Sequence, residues 1–367
     1  TYLKSGSSLS QVCHFDVYIS VVTCRFSLAT SSPHKHNTLY LCRMQDKNTI
    51  AQLIEEGIAN AGFPDTPAGL YDPARYILSG SGKRIRPMLT LMGAQLFDDR
   101  VEPYLPIAVA MEVFHNFTLV HDDIMDQAPV RRGKPTVHMQ WDTTTAILSG
   151  DVMLIQAYEL ISQAPAAVLP DILGMFTQTA KEVCEGQQDD MEFERREMVG
   201  LDDYLQMIAK KTSVLLGCCL YCGSRAAGAS ASDAQLLYEA GLKLGISFQI
   251  QDDILDAYAD AAHFGKKSGG DIIQNKKTFL TLTLMAIADE EDAPVIHQLF
   301  STQSLPEAEK VSAVMTYYEK YGVRSIADEV MARYYEEARV ALNLVQVPEA
   351  RKEALRWLME NVFSREK

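Results

Sequence analysis

The amino-acid sequence predicts an all-α fold, a single-domain bundle of ten or more helices around a central cavity. Three observations support this prediction. Apolar residues recur at helical spacing from residue 44 onward, and no convincing alternating strand appears there. The chain has 367 residues and is 47% hydrophobic, so it can bury a large core. Its composition does not change after residue 44, which indicates one domain over 44–367.

The predicted helices follow one another with few interruptions. The helix at 107–120 is strongly apolar and runs directly into an acidic cluster. Gly and Pro mark the breaks, at residues 62–64, 164–165, 228–230 and 267–270. Helical spacing predicts helices over residues 50–58, 107–120, 146–162, 175–185, 201–217, 234–254, 279–288, 308–321, 330–344 and 349–362.

Residues 1–43 differ from the rest of the chain. They are rich in Ser and Thr, and residues 15–24 read as a strand. A transit peptide, a vector-derived or upstream-translated leader and a true N-terminal extension all fit this composition. We favour a leader outside the fold, with Met44 as the natural start. We expect a cytoplasmic protein, or an organellar one if residues 1–43 are a transit peptide.

Charge and cysteine content exclude several classes of protein. The net charge of −14 argues against a nucleic-acid partner, because no dominant basic surface is available. No apolar run reaches the ~18 residues of a membrane span. Cys184 and Cys218, Cys219 and Cys222 lie in apolar helical sequence, which predicts buried free thiols and a reducing compartment. Cys218 and Cys222 could instead bridge two helix turns or bind a metal.

Two aspartate pentads, each Asp-Asp-x-x-Asp, occupy residues 122–126 and 252–256. In a helix the first and fifth residues of a pentad lie on one face, about one turn apart. Crowded carboxylates are stabilised by a divalent cation. Oxygen ligands without His or Cys favour Mg²⁺ or Mn²⁺. The pentads therefore predict a metal site that faces a polyanion.

Basic residues accompany the pentads. Arg131 and Arg132 follow the first one, and Lys83 and Arg86 lie upstream, three residues apart, so we expect the last two to share a helix face. Arg and Lys side chains suit phosphate oxygens. Acidic and basic clusters together predict a substrate that carries a diphosphate.

From Lys83 to Thr278 the chain resembles the trans-isoprenyl diphosphate synthases. The pentads match the two aspartate-rich motifs of that family, and residues 82–87 match its Gly-Lys-Arg-x-Arg-Pro signature, with Ser81 where a second Gly is usual. Lys211-Thr212, Gly186-Gln187 and Gly265-Lys266 also fall in family order. The ordered set is far more specific than any one motif.

The resemblance implies a role for each motif residue. The metal ligands, for three Mg²⁺ ions, would be Asp122, Asp126, Asp252 and Asp256, supported by Asp123 and Asp253. The allylic diphosphate would be bound by Arg131, Lys211, Lys266 and Lys276. The diphosphate of isopentenyl diphosphate would be bound by Lys83, Arg86, His115 and Arg132. Thr212 and Gln249 would lie beside the reacting carbons.

The implied reaction is the condensation of isopentenyl diphosphate with an allylic diphosphate by a homodimeric prenyltransferase. An allylic carbocation forms as diphosphate leaves, and metals and cations stabilise the leaving charge. Phe117 and Thr118, five and four residues before Asp122, would control chain length. An aromatic residue followed by a small one indicates a short C20 (geranylgeranyl) or C15 (farnesyl) product.

Three other functions remain open from the sequence. A class I terpene cyclase has one similar motif, but its second motif would differ from residues 252–256. A non-catalytic regulatory subunit of a prenyl synthase would keep the fold without turnover. A metal-dependent phosphohydrolase using His121 and Asp122 would need a further His partner. Both pentads and the basic residues are intact, which favours the synthase.

Overall fold

The computed structural model describes residues 46–196, 198–258, 269–301 and 305–364. The predicted leader and Lys266 lie outside these residues. The first half contains α1 (Lys47–Ala59), α2 (Ala68–Leu78), α3 (Ile85–Gln95), a 3₁₀ turn (Glu102–Tyr104), α4 (Leu105–Met125), strands β1 (Val130–Arg131) and β2 (Lys134–Pro135), α5 (Val137–Gln140), α6 (Thr143–Ile161) and α7 (Leu169–Phe193).

The second half is also helical. It contains α8 (Leu201–Ile208), a π-helix (Ala209–Ser213), α9 (Val214–Ala226), α10 (Ala231–Tyr258), α11 (Gly270–Ile273), α12 (Phe279–Ile287), α13 (Ala293–Ser301), α14 (Glu307–Lys320), α15 (Val323–Leu344) and α16 (Glu349–Phe363). The all-α prediction is confirmed. Within the described chain the two short strands form one antiparallel pair. No described helix is long and apolar enough to cross a membrane.

Helix α10 organises the interior because it belongs to two apolar clusters. Leu237 and Leu244, in its first half, belong to a buried cluster that also contains residues of α1–α7, α9, α15 and α16. Ile250 and Ile254, about two to three turns after Leu244, belong to a second buried cluster with residues of α7, α8 and α11–α15. A 28-residue helix spans about 40 Å, long enough to carry both clusters. The second pentad lies near its C-terminal end.

The structure differs from the prediction at several positions. The segment predicted as one helix over 201–217 is divided by the π-helix. Helix α2 was not predicted, and it contains Pro73 in its second turn. The cysteine prediction is correct for Cys218, Cys219 and Cys222, which are buried and free, but wrong for Cys184, which is exposed. The Cys218 and Cys222 sulfurs lie 3.7 Å apart, at hydrogen-bond distance, and form no disulfide.

Candidate active site

A cavity of about 730 Å³ lies between α4, α7, the π-helix and α10. Its size is typical of a site for a small organic ligand. The first residue of each pentad, Asp122 or Asp252, lines it together with most of the predicted cations. Apolar residues also line the wall, including Phe117, Leu119 and Val183. One cavity thus combines carboxylates, cations and an apolar lining.

The first pentad ends α4, and Asp126 is the C-cap residue. Asp122 Oδ2 lies 3.4 Å from Arg131 Nη2, and Asp122 Oδ1 lies 3.5 Å from Lys211 Nζ. The pKa of Asp126 is raised, first by burial and then by the charge of Asp122. Two carboxylates that repel each other, with cations beside one of them, are suited to bind a further positive charge.

Asp123 faces the protein instead of the cavity. It is 1% exposed, and Oδ1 accepts a hydrogen bond of 2.7 Å from Arg131 Nε. Burial raises its pKa, and the charge of Arg131 opposes that effect. Its contact therefore orients Arg131 beside Asp122.

The second pentad shows a similar division, since Asp252 lines this cavity whereas Asp253 lines a neighbouring one. Asp253 is 5% exposed, and its Oδ2 accepts hydrogen bonds from Tyr204 Oη at 2.5 Å and from Phe279 N at 2.9 Å. Burial raises its pKa to about 7, although both hydrogen bonds act in the opposite direction. Asp256 Oδ2 accepts from Asp271 N at 2.9 Å, at the start of α11. Asp252 is the acid of this pentad that lines the cavity.

The π-helix presents Lys211 to the first pentad. Lys211 Nζ lies 2.6 Å from Asp190 Oδ2 on α7. A Cβ atom on Gly186 would lie 2.3 Å from Lys211 N, and one on Gly245 would lie 2.6 Å from Ser213 Cα. Glycines on two neighbouring helices thus allow the widened turn to fit. π-Helical turns are frequent at functional sites.

Thr212 and Gln249 lie together beside this turn. Thr212 Oγ1 donates to Gln249 Oε1 at 3.3 Å, and both residues line the cavity. They also line a second cavity of about 660 Å³, with Lys211 and Lys276. Lys276 Nζ lies 3.7 Å from Asp271 Oδ1 in that cavity. The structure therefore separates Lys276 from the main cavity but connects the two spaces through Lys211.

The upstream basic residues line the cavity, but they do not share a helix face as predicted. Helix α3 begins at Ile85, so Lys83 lies in the preceding turn while Arg86 lies on the helix. Both line the cavity together with His115 and Arg132. The pKa of His115 is lowered well below its ordinary value by burial and by the charges of Arg86 and Arg132. The His115 imidazole is therefore neutral at neutral pH.

Phe117 and Thr118 both line the cavity. The Phe117 ring is 8% exposed and contacts His121 and Phe114, with ring centroids 4.9 and 5.6 Å apart. Phe114 in turn packs edge-on against Phe176 at 5.2 Å. Phe117 is therefore the cavity-facing member of an aromatic stack that continues into the core.

The donor set fits Mg²⁺. Asp122 Oδ1 is buried and makes no hydrogen bond, and Lys211 Nζ at 3.5 Å is too far away to satisfy it, so this oxygen can accept a metal ion. No three His, Cys, Asp or Glu side chains of the described residues converge on one point as a complete metal site. Mg²⁺ is commonly held by one or two carboxylates together with water and substrate phosphates. The pentads are therefore suited to share the metals with a diphosphate.

Three structurally important residues were not predicted. Arg84 and Glu112 form a buried ion pair at the cavity wall, with Nη1 and Oε1 2.8 Å apart. The only sequence signal for Arg84 is its position inside the Gly-Lys-Arg-x-Arg-Pro segment. Tyr204 binds Asp253 from 49 residues away, and no local pattern indicates that contact.

Comparison with known proteins decides the family. The family model described as polyprenyl synthetase matches residues 67–318, more than half of the chain. The chain belongs to the polyprenyl synthetase family. It is 34% identical to the geranylgeranyl diphosphate synthase of Sulfolobus acidocaldarius over 325 residues, which cover 87% of this chain and 98% of that protein.

Two further relatives agree. The geranylfarnesyl diphosphate synthase of Natronomonas pharaonis is 37% identical over 249 residues, 63% of this chain and 73% of that protein. The crystal structure of geranylgeranyl pyrophosphate synthetase from Pyrococcus horikoshii matches with a TM-score of 0.80 and 34% identity, over 90% of this chain and 100% of that one. This polyprenyl synthetase is a short-chain prenyltransferase, and the resemblance seen in its sequence is confirmed.

Proposed function

We propose that this prenyltransferase condenses isopentenyl diphosphate with an allylic diphosphate to give geranylgeranyl diphosphate, a linear C20 product. The observation that carries the proposal is the convergence of Asp122, Asp252 and two groups of cations on one partly apolar cavity. The relatives named for geranylgeranyl diphosphate support C20 over C15. A class I terpene cyclase would not require the second group of cations.

The proposed site has two halves. Arg131 and Lys211, which pair with the first pentad, would bind the allylic diphosphate, and Lys266 and Lys276 would complete that half. Lys83, Arg86, His115 and Arg132 would bind the diphosphate of isopentenyl diphosphate. A neutral His115 would donate one hydrogen bond to a phosphate oxygen without adding charge. The Arg and Lys side chains of the two halves would bind the two diphosphate groups, so that the hydrocarbon parts of the two substrates meet in the cavity.

The pentads would hold Mg²⁺ through Asp122, Asp126 and Asp252, with Asp256 as a further ligand, and we propose three ions; Mn²⁺ would serve as a substitute. Bound Mg²⁺ supplies positive charge to the leaving diphosphate. Asp123 orients Arg131, and Asp253 fixes the end of α10 against Tyr204 and Phe279. Thr212 and Gln249, which line the cavity and share a hydrogen bond, would lie beside the reacting carbons.

The apolar lining would exclude water from the allylic cation and receive the growing chain. Phe117 would form the floor, because it is the aromatic residue of α4 that faces the cavity while Phe114 lies behind it. Thr118, on the neighbouring position, would leave room beside that ring. A floor at this point would stop elongation at C20.

We propose a homodimer formed through α5 and α6. Large apolar side chains remain exposed there: Ile155 is 65% exposed, Leu148 54% and Met139 57%. Leu148 and Ile155 are seven residues apart and therefore lie on one face of α6. A second copy of the chain would cover this face. Light scattering of the wild type and of the double variant Leu148→Glu/Ile155→Glu tests this proposal. We expect the wild type to be a dimer and the variant to be a monomer. A monomeric wild type would exclude the dimer.

Incubation with Mg²⁺, isopentenyl diphosphate and each allylic diphosphate in turn tests the function. The synthase predicts linear, elongated diphosphates that yield geranylgeraniol after dephosphorylation. A cyclic hydrocarbon would indicate the cyclase. Phosphate release without elongation would indicate a hydrolase. Substrate binding without turnover would indicate the regulatory subunit.

A further inference from the structure

One residue of the Gly-Lys-Arg-x-Arg-Pro segment has no place in the proposed binding of substrate. Arg84 stands between Lys83 and Arg86, yet its side chain is only 7% exposed. It also adopts a left-handed backbone conformation, with φ of 46°. Residues with a Cβ atom adopt this conformation uncommonly, so the surroundings must hold it in place.

The Arg84 guanidinium is bonded on every side. Nε donates to Glu55 Oε1 at 3.0 Å, and Nη1 donates to Glu112 Oε1 at 2.8 Å. Nη2 donates to the carbonyl oxygens of Leu78 and Gly80, at 2.8 and 3.0 Å. These contacts join α1, the end of α2 and α4 to the turn before α3. A planar fork makes such a set of bonds, whereas a Lys side chain does not.

Glu112 connects this turn to the helix that carries His115. It is 3% exposed, and its Oε1 also accepts a hydrogen bond from Asn116 Nδ2 at 3.2 Å. Glu112 and His115 are three residues apart on α4 and so lie on neighbouring positions of one face. The ion pair therefore sets the turn that bears Lys83 relative to His115.

Gly82 lies between two guanidinium groups. A Cβ atom at this position would lie 3.0 Å from Arg132 Nη1 and 3.4 Å from Arg84 Nη1. Arg132 also has a left-handed backbone, with φ of 51°. The turn thus packs directly on a predicted phosphate-binding side chain, and Glu112 balances the charge of the inner arginine.

We propose that Arg84 is a positioning residue for isopentenyl diphosphate: its bonds to Glu112, Leu78 and Gly80 fix the turn of residues 80–84 so that Lys83, Arg86 and Arg132 meet the substrate. The inference rests on the proposed function, because it assigns that substrate to these cations. All three nitrogens of the Arg84 guanidinium donate to protein acceptors, so we assign Arg84 to the turn and not to the diphosphate.

Substitutions of Glu112 distinguish a positioning role of the ion pair from a purely electrostatic effect on substrate binding. Removal of a carboxylate beside several cations should strengthen binding of a diphosphate if charge alone matters. If positioning matters, loss of the acceptor should weaken binding. Glu112→Met removes both charge and acceptor at similar length, whereas Glu112→Gln removes the charge and keeps an acceptor oxygen for Arg84.

The experiment measures KM for each substrate and kcat for these two variants and wild type. We expect Glu112→Met to raise KM for isopentenyl diphosphate about tenfold or more, as loss of a charged hydrogen bond does. KM for the allylic diphosphate should stay within about twofold, and Glu112→Gln should stay close to wild type. A lower KM in Glu112→Met, equal increases in both variants, or a parallel rise in both KM values would overturn the proposal.

Arg84→Lys gives a second test if Glu112→Met does not fold, because it keeps a positive charge beside Glu112. We expect the same selective rise in KM for isopentenyl diphosphate, and an unchanged value would contradict the positioning role. Wild-type elongation is measured in the same assay. Absence of wild-type elongation would reject the proposed function itself. Wild-type elongation together with unchanged KM values in the variants would reject only the role of Arg84.

Discussion

In the first pentad the middle carboxylate, Asp123, is bonded to the cation of Arg131, whereas in the second the equivalent Asp253 accepts hydrogen bonds from the neutral groups of Tyr204 and Phe279. Each middle carboxylate is nearly inaccessible to solvent. The first carboxylate of each pentad lines the cavity. One sequence pattern thus supplies an acid that lines the main cavity and a structural acid. Among the described residues, only the first pentad connects its structural acid to a predicted substrate-binding cation.

A second difference concerns the surroundings. The first pentad lies beside Lys211, which the π-helix presents, and above the aromatic stack that starts at Phe117. The second pentad contacts the short helix α11, because Asp256 Oδ2 accepts a hydrogen bond from Asp271 N. The first pentad would therefore control substrate position and product length, while the second would complete the metal site near the end of α10.

A large effect is expected where the first pentad depends on the π-helix. Gly186→Ala would place a Cβ atom 2.3 Å from Lys211 N, so the backbone of α7 or of the π-helix must move. Overpacking of this kind costs about 1–3 kcal/mol, and a shift of about 1 Å at a catalytic group costs about 10²-fold in rate. Steady-state kinetics and thermal unfolding measure both effects.

Gly174→Ala is the matched control on the same helix. Nothing lies within 4 Å of a Cβ atom there. Activity should be unchanged, and the free energy of unfolding should rise by up to about 1 kcal/mol because alanine favours helix. Equal loss of activity in the two variants would show that the close approach of α7 to Lys211 is not required.

Product length tests the floor below the first pentad. Phe117→Ala should shift the product from C20 to longer chains, because the cavity then extends towards Phe114. Chromatography and mass spectrometry of the dephosphorylated prenols measure the distribution. Leu119→Ala is the control, since it removes apolar volume from the cavity wall on the same helix. Equal lengthening by the two variants would mean that cavity volume, and not a floor at Phe117, sets the product.

A further prediction concerns the stability contributed by the second pentad. The pKa of Asp253 is raised from 3.8 to about 7 in the folded chain, so the folded state keeps a proton that the unfolded state releases. Without Mg²⁺, the Asp253 contribution to the free energy of unfolding should fall as pH rises from about 4 to about 7, by up to about 1.4 kcal/mol per pH unit.

Asp253→Asn should remove that fall, because the amide oxygen can accept from Tyr204 and does not ionise. Chemical denaturation at several pH values compares it with wild type and with Asp202→Asn, an exposed acid on α8. Parallel pH profiles for wild type and Asp253→Asn would contradict the structural role of the buried acid.

The different orientations of the first and second acids of each pentad follow largely from helix geometry. Successive residues of a helix point about 100° apart, so the first two acids of a pentad cannot face one cavity equally. The sequence prediction nevertheless placed Asp123 and Asp253 among the residues supporting the metals. The burial partner of Asp253 could not be predicted, because Tyr204 is 49 residues away and lies on a short helix without a motif.

The prediction for Lys83 and Arg86 failed for a local reason. Pro87 lies in the first turn of α3, where proline marks a helix start, and that signal was available in the sequence. The bonds that hold Arg84 in a left-handed conformation come from three different helices and could not be predicted from local pattern. The close approach of Gly186 to the π-helix is likewise a tertiary property that a motif does not describe.

The unequal roles of neighbouring acids are tested most directly by kcat/KM of Asp252→Asn and Asp253→Asn at saturating Mg²⁺. If Asp252 binds the metals and Asp253 serves the fold, Asp252→Asn should lose about 10²–10³-fold or more, as removal of one transition-state charge contact does, and Asp253→Asn less than about tenfold. An equal loss in both variants, or a larger loss in Asp253→Asn, would contradict the account.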